Sequence, residues 1–176
     1  MQRNDIKTKC VFLDRDGVIN HDPGHYTFEV DKFDIIEGVP EAIAKFKEAG
    51  YLVIIITNQA GIAKGLYTEK EVMACHQKLQ DACGNLVDDI YFSPYHQNFT
   101  NSLTRKPGSL MFEKAIAKYH IDPVQSWMVG DSERDMTPAI KLGIRTVRIA
   151  PEGTETEANY ICQSLWQATE LFILGK

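Results

Sequence analysis

The sequence predicts an α/β fold, a Rossmann-like three-layer sandwich in which a parallel sheet lies between two layers of helices. Three observations carry this. Short, continuously apolar runs such as VFL at 11–13 and LVIII at 52–56 recur along the chain, as strands buried on both faces require. Helical patterns with their own start and stop signals separate those runs, so each strand is followed by a crossover. Polar residues gather just after the runs, where open α/β sheets keep their ligand sites.

The elements follow in order. The first strand spans about 10–14. A helix at 40–49 opens with Pro40 in its first turn and stops before Gly50. A strand at 52–57 leads to a helix at 68–83, whose Thr68 and Glu71 form a capping-box pair. A strand at 89–92, a helix at 109–119, a strand at 126–130 and a helix at 133–142 halted by Gly143 come next. A strand at 146–149 and a last helix at about 163–174, packed on the outside, complete the set. No repeat, low-complexity tract or linker interrupts the series, so one domain over residues 1–176 is expected.

Composition bounds the function. A length of 176 residues with 44% hydrophobic and 24% charged residues supports a real core without staples. The net charge of -5 argues against nucleic acid or a membrane surface as partner. Cys10, Cys75, Cys83 and Cys162 form no CxxC pair, which reads as reduced thiols. The apolar run after MQRNDIKTK is too short for a signal peptide, and no run approaches the ~20 residues of a membrane span. A cytoplasmic protein is expected, and, for want of a long exposed apolar stripe, a monomer.

The strand ends carry the chemistry. The first run delivers Asp14, Arg15 and Asp16; the second Thr57, Asn58 and Gln59; the fourth Gly130, Asp131 and Ser132, with Asp135 four residues beyond Asp131. Lys106 precedes the third helix. A carboxylate can attack phosphorus to form an aspartyl-phosphate, and a second can move protons to the leaving oxygen and from water. Clustered carboxylates call for a cation, and Mg²⁺ is the usual partner of carboxylates with phosphate. Thr57, Lys106 and the forked Arg105 would hold the phosphoryl group. Taken singly these are a turn, a helix cap and a solvated lysine. Taken together at successive strand ends, they are a phosphoryl-transfer site.

The order DxD, Thr, Lys, GDxxxD resembles the haloacid dehalogenase-like phosphohydrolases. That resemblance implies a sheet of order 3-2-1-4-5, Asp14 as nucleophile, Asp16 as general acid/base, and Thr57 and Lys106 as phosphoryl ligands. It also implies Mg²⁺ held by the Asp14 carboxylate, the Asp16 carbonyl and Asp131, with Asp135 supporting. The stretches FLDRDGVIN, EGVPEAIAKFKEAGY, ITNQAGIAKGLYTEKE and RKPGSLMFEKA are similar to the D,D-heptose 1,7-bisphosphate 7-phosphatases over about residues 11–149. By that likeness Asp22, Asn58 and Gln59 contact a small phosphorylated sugar, and Arg105 takes its second phosphate. About fifty residues separate Thr57 from Lys106, which leaves no room for a large cap domain.

One stretch departs from the subgroup. Many members, and the related histidinol-phosphate phosphatases, carry a zinc loop of the form C-x-H then C-x-C before Arg-Lys. Here the loop reads Ser93-Pro94-Tyr95-His96 and Ser102-Leu103-Thr104, so zinc is not expected. Tyr95 and Phe99 are the expected anchors of that loop. Two other readings stay open at this point. One is a phosphatase of another small phosphomonoester, histidinol phosphate above all. The other is a phospho-accepting signalling module, which would need an acceptor Asp at the third strand's end, where Tyr91-Phe92-Ser93-Pro94 stands.

Overall fold

The computed structural model describes residues 7–175; most of the N-terminal stretch read for a signal peptide lies outside the described residues. Six parallel strands form one sheet: β1 (Cys10–Leu13), β2 (Leu52–Asn58), β3 (Asp89–Ser93), β4 (Trp127–Gly130), β5 (Arg145–Ile149) and β6 (Tyr160–Cys162), in the order β3-β2-β1-β4-β5-β6. The expected order is present and gains one edge strand. At three residues, β6 is too short to show a period, and it was not read from the sequence. It is held by its pairing with β5 and by the Asn159 side chain, which accepts from Thr146 N at 2.8 Å.

The helices are α1 (Val39–Glu48), α2 (Glu69–Ala82), α3 (Leu110–Tyr119), α4 (Glu133–Lys141) and α5 (Leu165–Ala168). The capping box on α2 forms as expected from Thr68 and Glu71. The last helix is shorter than expected. After α5 the chain continues as a π-helical turn, Thr169–Ile173, where the Thr169 hydroxyl bonds back to the Leu165 carbonyl at 2.8 Å.

Period-two alternation divides the core between the two faces of the sheet. Val11, Leu13, Val53 and Ile55 pack with Ile43 and Phe46 of α1, Leu79 of α2 and Leu165 of α5. Cys10, Phe12, Ile54 and Ile56 pack with Phe112 of α3 and Met136 of α4. All four cysteines are buried and free. Among the described residues no helix is long and apolar enough to cross a membrane. Central β1 pairs with both β2 and β4, Leu13 lying opposite Ile55 and Val129. The chain therefore leaves β1 at Asp14 between the carboxyl ends of its neighbours, at the switch point of the sheet.

His76 of α2 is 1% exposed, and neither ring nitrogen has a partner among the described residues. Burial, reinforced by the Arg15 charge, pushes its imidazole down to about 3. It is therefore neutral when folded and protonates near its ordinary value when unfolded. The unfolded chain then binds the extra proton, so folding stability falls as pH drops below about 6.5, by up to about 1.4 kcal/mol per unit. Denaturant titrations from pH 7 to 4 should show that fall relaxed in His76→Leu. Parallel declines in the two proteins would contradict it.

Candidate active site

The floor of the site is a buried ion cluster at the ends of β1, β2 and β4. Asp14 N donates to Val129 O at 2.9 Å, which ties the end of β1 to β4. Lys106, 2% exposed, donates to the Ile56 carbonyl at 2.7 Å and stands 2.9 Å from Asp14 Oδ1 and 2.5 Å from Asp135 Oδ1. Burial opposes its charge, but Asp135 and Asp14 outweigh burial and raise its pKa, so it remains a cation. Asp135 also closes the capping box of α4, where its Oδ2 accepts from Ser132 N at 3.1 Å. One residue thereby starts the helix and orients the lysine. A Cβ at Gly130 would lie 2.4 Å from the Asp135 side chain, and one at Gly17 (φ +82°) 2.3 Å from Asp131 Oδ2. Both glycines let the chain pass close to these carboxylates.

Asp14, Asp131 and Asp135 can bring carboxylate oxygens within 4.8 Å of one another. Burial, and then the Asp14 charge, push the Asp131 carboxyl up to about 6. Three carboxyls share the single Lys106 cation, and burial together with the Asp14 charge raises both the Asp131 and the Asp135 carboxyl. Hard oxygen donors with that imbalance fit a divalent cation of the Mg²⁺ type.

Thr57 is buried at the end of β2, and its hydroxyl bonds to the Gln59 amide at 2.9 Å. Asn58 and Gln59 differ from the expected substrate contacts. Asn58 borders the cleft, yet both ends of its amide are engaged with the Lys106 backbone, Nδ2 to O at 3.1 Å and Oδ1 from N at 3.0 Å. It clamps the lysine loop to β2. Gln59 is 1% exposed and lies behind the cleft. With one face of its amide the nitrogen donates to the Thr57 hydroxyl (2.9 Å) and to Asp16 Oδ2 (3.4 Å); with the amide turned over, the oxygen accepts from Thr57 and from Arg15 Nη2 (3.1 Å) and the nitrogen donates to the Tyr67 hydroxyl. The chain turns just after β2, so the alternation of the strand no longer says which way these side chains point.

Asp16, with 28% of its side chain exposed, faces the cleft. The Arg15 side chain turns inward from between the two acids. It is buried, paired with Asp16, and donates to the Thr27 carbonyl at 2.6 Å. Asp22 is exposed at the cleft, where its Oδ1 accepts from Gly24 N at 2.8 Å.

The loop between β3 and Lys106 is held by polar contacts rather than by Tyr95 and Phe99, which are 43% and 65% exposed. Its residues 100–103 and 105 border the cleft. The hydroxyls of Ser93, Ser102 and Thr104 instead bond to one another, Thr104 to Ser93 at 3.0 Å and to Ser102 at 2.8 Å. Arg105 reaches back across the loop to Gln97 Oε1 (3.0 Å) and the Tyr95 carbonyl (3.1 Å).

Asp14, Asp16 and Asp131 open into a cavity of about 480 Å³, also bordered by His25, Tyr26, Arg105 and Arg134. A second cavity of about 470 Å³, bordered by Thr100, Asn101 and Ser102, shares Gln97, Arg105, Lys106 and Arg134 with it. The two form one elongated cleft with both guanidiniums at the junction. Burial and the Arg134 charge lower the Arg105 pKa, so an anion between the two would relieve both. Arg134 was not singled out from the sequence. A signal existed, since a cation in the first turn of a helix opposes the dipole unless something anionic binds there. Arg148, also missed, supports this rim from β5 by donating to the Asp131 carbonyl at 3.2 Å and pairing with Glu133 at 2.6 Å.

Comparison with known proteins places this geometry. The HAD-hydrolase-like family model matches residues 103–168. A D-glycero-beta-D-manno-heptose-1,7-bisphosphate 7-phosphatase of Haemophilus ducreyi is 38% identical, over 89% of this chain and 94% of that protein. A D-glycero-alpha-D-manno-heptose-1,7-bisphosphate 7-phosphatase of Burkholderia mallei is 36% identical, over 80% of this chain and 79% of that protein. The crystal structure of D,D-heptose 1,7-bisphosphate phosphatase from B. bronchiseptica, complexed with magnesium and phosphate, superposes with a TM-score of 0.84 at 28% identity, covering 92% of this chain and 96% of that one. With the acids, lysine and sheet order already in place, these likenesses settle the family: the chain belongs to the HAD-like phosphatases, within the heptose-bisphosphate phosphatase group.

Proposed function

We propose that this chain is a Mg²⁺-dependent phosphomonoesterase that removes the 7-phosphate of D-glycero-D-manno-heptose 1,7-bisphosphate through an aspartyl-phosphate on Asp14. Its product would feed nucleotide-activated heptose for lipopolysaccharide or another surface glycan, in the cytoplasm and with the enzyme as a monomer. The observation that carries the reading is the pairing of Lys106 Nζ with Asp14 at 2.9 Å, in a cleft that Asp16, Thr57 and Asp131 also border. Lys106 orients the nucleophile and neutralises the incoming phosphoryl oxygens, while Thr57, its hydroxyl oxygen accepting from the Gln59 amide nitrogen, donates to them. Asp16 gives a proton to the sugar oxygen and later takes one from water. Bound at the Asp14 and Asp131 carboxylates and the Asp16 carbonyl, with Asp135 supporting, Mg²⁺ would supply charge neutralisation. Asp22, Asn58 and Gln59 shape the substrate end directly or from behind.

The elongated cleft suits a substrate with two phosphates. Arg105 and Arg134 sit where the second would lie, and charge-assisted bonds of this type contribute about 1.5–3 kcal/mol each. Arg105→Ala should raise KM for the bisphosphate about 10-fold or more, while leaving kcat/KM for a simple monophosphate nearly unchanged. An equal loss on both substrates would contradict the assignment. A phosphate-release panel, with and without Mg²⁺, tests the substrate itself: both anomers of heptose bisphosphate, fructose bisphosphate and histidinol phosphate. Fastest release from histidinol phosphate would overturn the heptose reading. The related proteins include both anomeric specificities, so the panel also assigns the anomer.

We read the loop at 93–105 as zinc-free. Hydroxyls stand at the sequence positions of the subgroup's thiolates, that of Thr104 bonded to those of Ser93 and Ser102, and neutral hydroxyls do not make a structural zinc site. Elemental analysis of purified protein should find less than a tenth of an equivalent (an order-of-magnitude bound). A full equivalent that survives dialysis would refute this.

A further inference from the structure

One buried cation has no part in holding phosphate or metal. Arg15 is 1% exposed although it lies between the two acids of the first motif. Its Nε and Nη2 reach Asp16 Oδ1 at 3.2 and 2.9 Å, and Nη2 also reaches Oδ2 at 3.0 Å. Nη2 donates to the Thr27 carbonyl at 2.6 Å, and the Phe33 ring lies 5.6 Å from the guanidinium carbon. Thr27 directly follows Gly24, His25 and Tyr26, which border the cleft as a flap. Taking a guanidinium out of water is costly, and a buried ion pair is a weak source of stability. What the fork supplies is geometry: it fixes the plane of the Asp16 carboxyl.

We propose that Arg15 is the positioning residue for proton transfer, setting the Asp16 carboxyl toward the reacting phosphate and tying it to the flap at Thr27. This rests on the phosphatase reading above. The contacts also distinguish the two oxygens. Oδ1 is held by Nε, by Nη2 and by Asn20 Nδ2 at 3.0 Å, whereas Oδ2 meets Nη2 and, at 3.4 Å, the Gln59 amide. In the first half-reaction an Asp14 oxygen bonds to phosphorus, the ester P–O bond breaks, and the Asp16 proton passes to the leaving oxygen. In the second, water bonds to phosphorus and its proton passes to the Asp16 carboxylate. The Asp14–phosphorus bond then breaks and phosphate leaves.

The leaving group separates positioning from mere structural support. A phenolate with a low pKa departs without a proton, and a sugar alkoxide does not. Single-turnover formation of the aspartyl-phosphate should be followed on aryl phosphates of graded leaving-group pKa and on the sugar phosphate. In Arg15→Gln the rate should fall less than about 3-fold with p-nitrophenyl phosphate and at least about 10-fold with the sugar phosphate. Arg15→Lys keeps the charge without the fork, and should show the same dependence on the leaving group if the glutamine variant does not fold. Added to Asp16→Asn, Arg15→Gln should cause no further loss. A uniform loss across the series, or additive losses in the double variant, would overturn the assignment while leaving the phosphatase reading intact. Persistent turnover in Asp14→Asn would overturn both.

Discussion

Replacing Asp14 with Asn is expected to lower kcat by more than about 10³-fold while the protein stays folded. The amide is nearly isosteric and keeps an oxygen facing Lys106, so the cluster at the sheet edge survives. What it loses is the anionic oxygen that bonds to phosphorus. The removed charge also lies beside Asp131, whose carboxyl is raised by burial and then by Asp14. Taking that charge away lets Asp131 ionise more readily, so Asp14→Asn should be no less stable than the parent. Melting curves and phosphate release measured on the same samples check both halves. A folded variant with parental kcat would mean that some other group attacks phosphorus.

Lys106→Ala is expected to be damaging in two separable ways. The ammonium pairs with Asp14 and Asp135 and donates to the Ile56 carbonyl from a position 2% exposed, so its removal leaves two acids side by side without a counter-charge. Breaking a buried pair of this kind costs about 3–5 kcal/mol. It also removes a preorganised cation from the proposed phosphoryl site, worth about 10² or more in kcat. Combining Lys106→Ala with Asp135→Asn should restore much of the stability, because one uncompensated charge is gone, but none of the rate. Denaturant titration and steady-state kinetics on the single and double variants check this. Equal recovery of stability and rate would show that Lys106 acts only through the fold.

The contrast between Lys106 and Arg15 shows what could be read in advance. Apolar runs and caps locate strands, and strands locate their own ends, so Asp14, Thr57, Lys106 and Asp131 could be expected to meet before any coordinates. They do meet, at the β1 switch point. Beyond a strand end, periodicity no longer dictates side-chain direction. Arg15 turned inward to Asp16, Gln59 turned behind the cleft, and Asn58 took both ends of its amide to the Lys106 loop. The loop at 93–105 escaped for a related reason. It is tied by hydroxyl contacts of Thr104 and by Arg105, contacts with no period to betray them. Arg134 alone left a usable mark, a cation in the first turn of α4.

The central claim is a covalent intermediate on Asp14, and rapid-quench trapping tests it most directly. Enzyme mixed with radiolabelled sugar bisphosphate and Mg²⁺, then quenched in acid within the first turnover, should carry label on the peptide containing Asp14. That label should be released by hydroxylamine and be missing from Asp14→Asn. Product formation by the parent enzyme with no label on that peptide at any time within the first turnover, or label on another residue, would contradict the account.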